Sequence, residues 1–270
     1  MKRPMFKYFG SKHRSSKHYP PPEYHTIYEP FAGSAGYSLR YHEHKVILSD
    51  TDAELILLWK WLFNVTPEEI LALPYETLMV GQDLRTLGLS SEAADLIRRW
   101  QRTGNCSSWT VSYFNHILRV TNGGKDVGSE PGKLIWVAGP LKNGTVTNNT
   151  GMWHPNTRTY LAENVTKIRH WEAHWMPYWE IDTNVEPATW FLDPPYQHIK
   201  RAYKEKTAIN YSHLRDWLMK LPGQVIVCEQ EGANWLPFEP CCSVSGMRGK
   251  MRGIAGAQSS EMIYTHNSTE

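Results

Sequence analysis

Trp190-Phe191-Leu192-Asp193-Pro194-Pro195-Tyr196 decides how this chain is read: an apolar run stops abruptly at an acid, two prolines and a tyrosine. Phe191 and Leu192 suit a buried strand, and proline cannot continue one because it has no amide proton for the ladder. Asp193 is therefore expected at the strand's C-terminal tip, the edge at which open α/β sheets hold their ligands. Pro194 and Pro195 fix their own φ, and Pro195 also restricts Pro194. The expected result is a stiff corner that offers a carboxylate, outward backbone carbonyls and an aromatic face. Such a set suits a flat ring with an amino group on its edge: the carboxylate and a carbonyl each accept one N–H, and Tyr196 stacks on the ring. The plainer reading is a strand followed by an ordinary Pro-rich turn, and so short a motif does not decide between the two.

Working outward, His25–Glu29 reads as a first strand that runs into Pro30-Phe31-Ala32-Gly33-Ser34-Ala35-Gly36, after which Tyr37–Tyr41 begins a helix. Strand, glycine turn and helix form the nucleotide-binding opening of a doubly wound fold; Gly33 and Gly36 let a ligand approach the backbone, with helix N-terminal amides toward its polar end. The turn is neither Gly-x-Gly-x-x-Gly nor Gly-x-Ser-x-Gly, so a dinucleotide pyrophosphate is not its natural cargo and Ser34 is a poor nucleophile. Lys45–Asp50 reads as a second strand ending in an acid. Asp50 follows Gly33 at about the spacing with which such folds place a ribose-binding carboxylate. It could instead cap the helix that Asp52 and Ala53 open, although Asp52 is an equal candidate for that cap. Later, Tyr211–Leu218 is helical, Leu221-Pro222-Gly223 stops it, Gln224–Cys228 is a buried strand, and Ser260–Tyr264 supplies a last one. Strands alternating with helices predict an α/β, Rossmann-like, doubly wound and mostly parallel sheet.

The 270 residues, 41% of them hydrophobic, suffice for one large α/β domain carrying an insert. A net charge of +2 neither demands nor excludes nucleic acid. The cations are unevenly spread, however: Lys2, Arg3, Lys7, Lys12, Arg14 and Lys17 crowd the start, Lys200, Arg201, Lys204 and Lys206 follow the acid–proline corner, and Arg248, Lys250 and Arg252 lie near the end. Clusters that bracket the corner fit a polyanionic partner as well as solvated faces. Cys106, Cys228, Cys241 and Cys242 form no Cys-x-x-Cys pair, so reduced thiols fit better than a disulfide framework or a zinc site. His170 and His174 are spaced i, i+4 in a helix-like stretch, but no third metal ligand accompanies them. An apolar signal region and a membrane-spanning run are both lacking.

Between Asn64 and about Tyr160 the pattern changes. Thr66-Pro67-Glu68-Glu69 and Ser90-Ser91-Glu92 each start a helix. Gly-, Asn- and Thr-rich sequence with scattered aromatics then runs from Gly123 to Gly151, with Lys125, Lys133, Lys142 and Arg158 among Trp136, Asn143, Asn148 and Trp153. Amides and cations on polar loops are what base-edge readout uses, and equally what a surface insert carries. Leu161 to Trp171 reads as an amphipathic helix leading back toward the central strand.

The blocks Phe6-Lys7-Tyr8-Phe9-Gly10-Ser11-Lys12, Glu29-Pro30-Phe31-Ala32-Gly33-Ser34-Ala35-Gly36, Asp50 and Asp193-Pro194-Pro195-Tyr196 stand in the order found in Dam-like DNA adenine (N6) methyltransferases. At its two ends the chain resembles that family. The resemblance implies S-adenosylmethionine as cofactor, held by Tyr8 and Lys12, by Glu29, Phe31, Ala32, Gly33 and Ser34, by Asp50 at the ribose, and by Asp193. It implies that Asp193, Pro194, Pro195 and Tyr196 receive a flipped adenine and carry the catalysis. It implies a discontinuous catalytic domain over 1–64 and 161–270, with a mainly helical or irregular insert at 65–160 that recognises the DNA sequence. The partner it implies is double-stranded DNA, with no membrane and no metal, for a monomer or weak dimer in the cytoplasm of a bacterial or phage-infected cell, in a restriction–modification setting. Relatives often carry glycine two residues after the one matching Gly33, where this chain has Ala35, and tryptophan where it has Tyr8. A methyltransferase for cytosine N4 or an RNA base would use the same corner, and a non-catalytic DNA-binding relative would keep the fold. A nicotinamide dehydrogenase fits least, because the glycine spacing is wrong.

Overall fold

The computed structural model describes residues 1, 3–75, 78, 82–101, 108–111, 120–122, 125–127, 139–142, 145–147, 153–198, 209–245 and 258–268. Cys106, the cations at 200–206 and 248–252, and Lys133, Trp136, Asn143 and Asn148 lie outside the described residues. Along the chain the elements are β1 (Thr26–Glu29), β2 (Lys45–Asp50), α1 (Ala53–Asn64), α2 (Pro67–Ala72), α3 (Ser91–Gln101), β3 (Val120–Asn122), β4 (Lys125–Val127), β5 (Gly139–Lys142), β6 (Thr145–Thr147), α4 (Pro155–Val165), β7 (Glu172–Trp175), β8 (Ala188–Leu192), α5 (Tyr211–Leu218), β9 (Gly223–Gln230), β10 (Glu239–Ser245) and β11 (Gln258–Ser268). The chain divides into two compact units: Met1–Pro4, Gly10–Lys60 and His170–Glu270 form one, and Met5–Phe9 with Trp61–Arg169 the other.

The first unit is built on a seven-stranded sheet in the order β10-β11-β9-β8-β1-β2-β7. β1 pairs in parallel with β2 on one side and β8 on the other. β7 continues the parallel ladder from β2, and β9 continues it from β8. Only β11 and β10, which add antiparallel at one edge, break the pattern. This is the doubly wound, mostly parallel α/β architecture that the alternating pattern predicts. Both faces of β8 are buried, as a central parallel strand requires. Trp190 and Leu192 join Leu214, Trp217 and Leu218 of α5 on one face. On the other face Tyr37 stacks on Phe191 with ring centres 4.4 Å apart.

Several local expectations are corrected. Tyr37–Tyr41 does not start an α-helix; a short 3-10 turn over Ser38–Tyr41 is all that fits before β2 begins at Lys45. The helix expected over Leu161–Trp171 instead spans Pro155–Val165 and tightens into a 3-10 turn to Ile168. Proline at its first turn and the His154 ring, which accepts the Asn156 amide, set the earlier start. His170 and His174 therefore share no helical face, since His174 lies on β7, where side chains alternate. Among the described residues no group of three or more His, Cys, Asp or Glu is placed to hold a metal ion, and no helix is long and apolar enough to cross a membrane.

In the second unit α2 opens with a full capping box between Thr66 and Glu69. Arg158 of α4 donates to the carbonyls of Leu71 and Leu73 at the end of α2. Buried Asp95 accepts from Arg98 Nε at 2.6 Å and Arg99 Nε at 2.8 Å. Trp100 Nε1 donates to the Met5 carbonyl, tying Met5–Phe9 to α3. β3–β4 and β5–β6 are two antiparallel hairpins within the Gly- and Thr-rich stretch, which carries no period-2 apolar pattern to announce them.

Candidate active site

Parallel pairing puts the C-terminal ends of β1, β2 and β8 on one edge of the sheet. The strand order reverses between β1 and β8, which makes this edge the topological switch point, where doubly wound sheets bind ligands. The turn after β1, Asp50 at the end of β2 and Asp193 just beyond β8 all belong to it.

Lys12 is buried, and its Nζ lies 2.8 Å from Asp193 Oδ1. The same Nζ donates to the Gly10 carbonyl and sits 4.6 Å from the centre of the Tyr196 ring. Burial pushes the Asp193 carboxyl up to about 6 against the opposing pull of the Lys12 ammonium. For Lys12 burial alone would lower the ammonium, but Asp193, Glu261 and Cys228 more than offset it and hold it above its ordinary value. The Tyr196 hydroxyl donates to Glu261 Oε2 at 2.8 Å. Tyr211 donates to the Pro195 carbonyl at 2.6 Å, so that carbonyl is already engaged. Among the described residues the Pro194 carbonyl accepts no hydrogen bond and stays available.

The glycine turn is held by its own neighbours. Asp50 Oδ2 accepts the Gly33 amide at 3.2 Å, and its other oxygen accepts the Asp52 amide at 3.0 Å. Asp52, which accepts the Leu55 amide, is the residue that caps α1, leaving Asp50 for the turn. Burial raises the Asp50 carboxyl while those two amides pull it down, and burial prevails. The Gly33 carbonyl accepts from Trp59 Nε1 at 3.0 Å. Gly33 and Ala35 both take left-handed φ, 43° and 47°. Ala35 thus takes a glycine-like backbone conformation that L-residues adopt at a cost. A Cβ on Gly36 would stand 2.5 Å from the His13 amide nitrogen and 2.8 Å from the Lys12 carbonyl carbon. That close approach, together with the 2.7 Å hydrogen bond from the Ser34 hydroxyl to Ser11, fixes the Lys12 segment against the turn.

Two of the amides at the start of the 3-10 turn, expected from sequence to face a ligand, are engaged within the protein. The Ser38 amide donates to Glu29 and the Leu39 amide to the Ala35 carbonyl. Glu29 is buried at the end of β1, and burial pushes its carboxyl up to about 8 despite the Ser38 amide. Phe31 packs beside Tyr178, and the Ala32 amide donates to the Ser49 carbonyl. The structure therefore brings together Lys12, Glu29, Phe31, Ala32, Gly33, Ser34, Asp50 and the 193–196 corner in one unit. Tyr8 belongs to the other unit, where the Arg99 guanidinium carbon lies 5.7 Å from its ring centre.

Residues 10–87 match the family model of the D12 class N6 adenine-specific DNA methyltransferase. The D12-class match covers Lys12, the glycine turn and Asp50, and ends well before Asp193. The likeness that the ordered motifs carry is thus shown over that span, and it supports DNA adenine methylation in general. No curated protein matches the chain.

Sequence reading missed Glu261, Glu229 and Tyr19. Glu229 is fully buried and accepts the Gln197 amide and Trp235 Nε1. The Tyr19 hydroxyl lies 3.3 Å from Glu261 Oε2 and 2.9 Å from Ser15 Oγ, with one proton shared between these acceptors. The one available signal was an acid at the end of each of two short strand-like apolar runs, Val225–Cys228 and Met262–Tyr264.

Proposed function

We propose that the chain is a site-specific DNA adenine methyltransferase that uses S-adenosylmethionine and acts on the exocyclic amine of a flipped adenine. The observation that carries the reading is the 2.8 Å Lys12–Asp193 pair at the tip of β8, at the same switch point as the glycine turn. The unit built on the sheet is the catalytic part in this reading, and residues 65–160 read the DNA sequence.

The donor set fits the cofactor. Asp50 spends one lone pair of each oxygen on a backbone amide and keeps others for ribose hydroxyls. Gly33, with its own amide and carbonyl engaged, contributes close approach rather than hydrogen bonds. Phe31, Ala32 and Ser34 line the same turn. When bound, S-adenosylmethionine supplies an electrophilic sulfonium methyl group.

The remaining chemistry belongs to the corner. An exocyclic amine is a poor nucleophile because its lone pair is delocalised into the ring. Asp193 and the Pro194 carbonyl, accepting one amine hydrogen each, favour a pyramidal nitrogen with a localised pair. Positive charge that develops on nitrogen then lies beside the Asp193 carboxylate, which stabilises it. Lys12 keeps that carboxylate ionised near neutral pH, and the same carboxylate can hold the proton that the amine releases. A duplex hides the amine, so the base must leave the stack and settle on Tyr196.

The test is to express the protein, digest the cellular DNA to nucleosides and weigh them. N6-methyladenine is expected, and N4-methylcytosine in its place would redirect the reading to cytosine. Asp193→Ala should abolish the modification and leave the melting temperature within a few degrees; retained turnover would refute the assignment.

A further inference from the structure

We propose that Glu261 is a positioning residue for methyl transfer, which holds the Tyr196 ring through its hydroxyl and adds negative charge that acts on Lys12. The inference rests on the function proposed above and adds to it a residue that lies far from every motif.

Glu261 comes from β11, the antiparallel strand beyond β9, and is 8% exposed. Its carboxylate accepts from Tyr196 at 2.8 Å and from Tyr19 at 3.3 Å. A tyrosine ring turns about two side-chain bonds. Fixed at its backbone by two preceding prolines and at its hydroxyl by a buried carboxylate, Tyr196 keeps one orientation. The Lys12 ammonium lies over that ring at 4.6 Å while pairing with Asp193. Lys12 thus touches both the acid that receives the amine and the platform that receives the base, and Glu261 sets where the platform stands.

Charge gives the second half of the argument. Among the described residues Lys12 pairs with Asp193, and the carboxyls of Glu261 and Glu229 also act on Asp193. Removing Glu261 takes negative charge away from a nitrogen that gains positive charge, which disfavours the transition state.

Asp193 is faced by Lys12 and Tyr19 from the N-terminal segment, by Glu29 from β1 and by Cys228 and Glu229 from β9. Glu261 faces it from β11 and Tyr196 from its own turn. Of these, Glu261 and Glu229 raise the Asp193 carboxyl and Lys12 lowers it. Removing the Glu261 charge makes Asp193 easier to ionise, so the acid limb of the rate profile should move to lower pH.

Glu261→Ala and Glu261→Gln are compared with the unmodified protein in methyl transfer to bulk DNA across pH, with melting temperatures alongside. Loss of a charge-assisted hydrogen bond corresponds to roughly a 10- to 100-fold fall in kcat for the alanine variant. Glutamine keeps an acceptor for Tyr196, so part of the rate should return while the acid limb stays displaced in both variants. Rates within about twofold of the unmodified protein would overturn the inference. So would a fall in rate that follows the melting temperature and leaves the limb in place. If the unmodified protein makes no N6-methyladenine, the parent reading falls and this one with it; an active protein with unresponsive Glu261 variants sinks this one alone.

Discussion

Replacing Lys12 by methionine keeps most of the apolar stem of the side chain and removes the ammonium, with its charge and its hydrogen bond to the Gly10 carbonyl. Asp193 then loses the ammonium at 2.8 Å, the strongest influence opposing its burial. With its carboxyl at about 6, Asp193 is about 97% ionised at pH 7.5 in the native protein. An opposite charge at such a distance is worth about 1–3 pH units, so the variant's carboxyl should titrate at about 7–9. The ionised fraction at pH 7.5 then drops to somewhere between about three quarters and about 3%. The sign is fixed: a cation favours the carboxylate, and its loss moves the acid limb of methyl transfer upward. The assay is the rate of labelled methyl transfer to DNA at saturating substrates from pH 5.5 to 9.5, read for both the midpoint of the limb and its plateau. A plateau lowered without movement of the midpoint would mean that Lys12 orients substrate but does not set the ionisation of Asp193. A midpoint that stays in place or falls would refute the reasoning.

Other expectations follow from the same residues. Burial raises Glu29 from 4.5 to about 8, so folded-state stability is fullest below about pH 4.5 and declines as pH rises toward 8; relative to Glu29→Gln the native protein should lose on the order of 2–3 kcal/mol between pH 5 and 7, read by urea unfolding. A difference independent of pH would contradict the buried, protonated assignment. Ala35→Gly relieves a left-handed alanine at φ 47° and gives up a buried methyl; the two effects oppose, and the unfolding free energy should change by less than about 1 kcal/mol. Gly36→Ala drives a Cβ into the Lys12–His13 backbone and should cost about 1–3 kcal/mol by thermal or urea melting, with slower methyl transfer as Lys12 is displaced.

The local elements were legible because their signals are local. The 190–196 run ends a strand at Leu192 as the prolines demand and β2 spans Lys45–Asp50, while the cap of α1, open between Asp50 and Asp52 in the sequence, falls to Asp52 in the structure. Alternating strand and helix patterns were enough for the doubly wound sheet. Helix boundaries near Pro155 were not legible by apolar periodicity, since proline and a capping ring set the start there. The two hairpins were hidden because nothing in a Gly-, Asn- and Thr-rich stretch alternates with period two.

By itself the sequence determined which chemistry-bearing residues exist, their order, and that Asp193 must stand at the end of a buried strand. Only the tertiary structure decided what stands beside it. The parallel register of β8, β1 and β2 draws three strand ends to one edge, and the antiparallel return of β11 carries Glu261 to Tyr196. The physical reason is range: a proline or a cap acts on its neighbours in the chain, whereas the pairing of Lys12 with Asp193, and the ionisation that follows from it, depends on the Coulomb interaction and burial between segments brought together by packing.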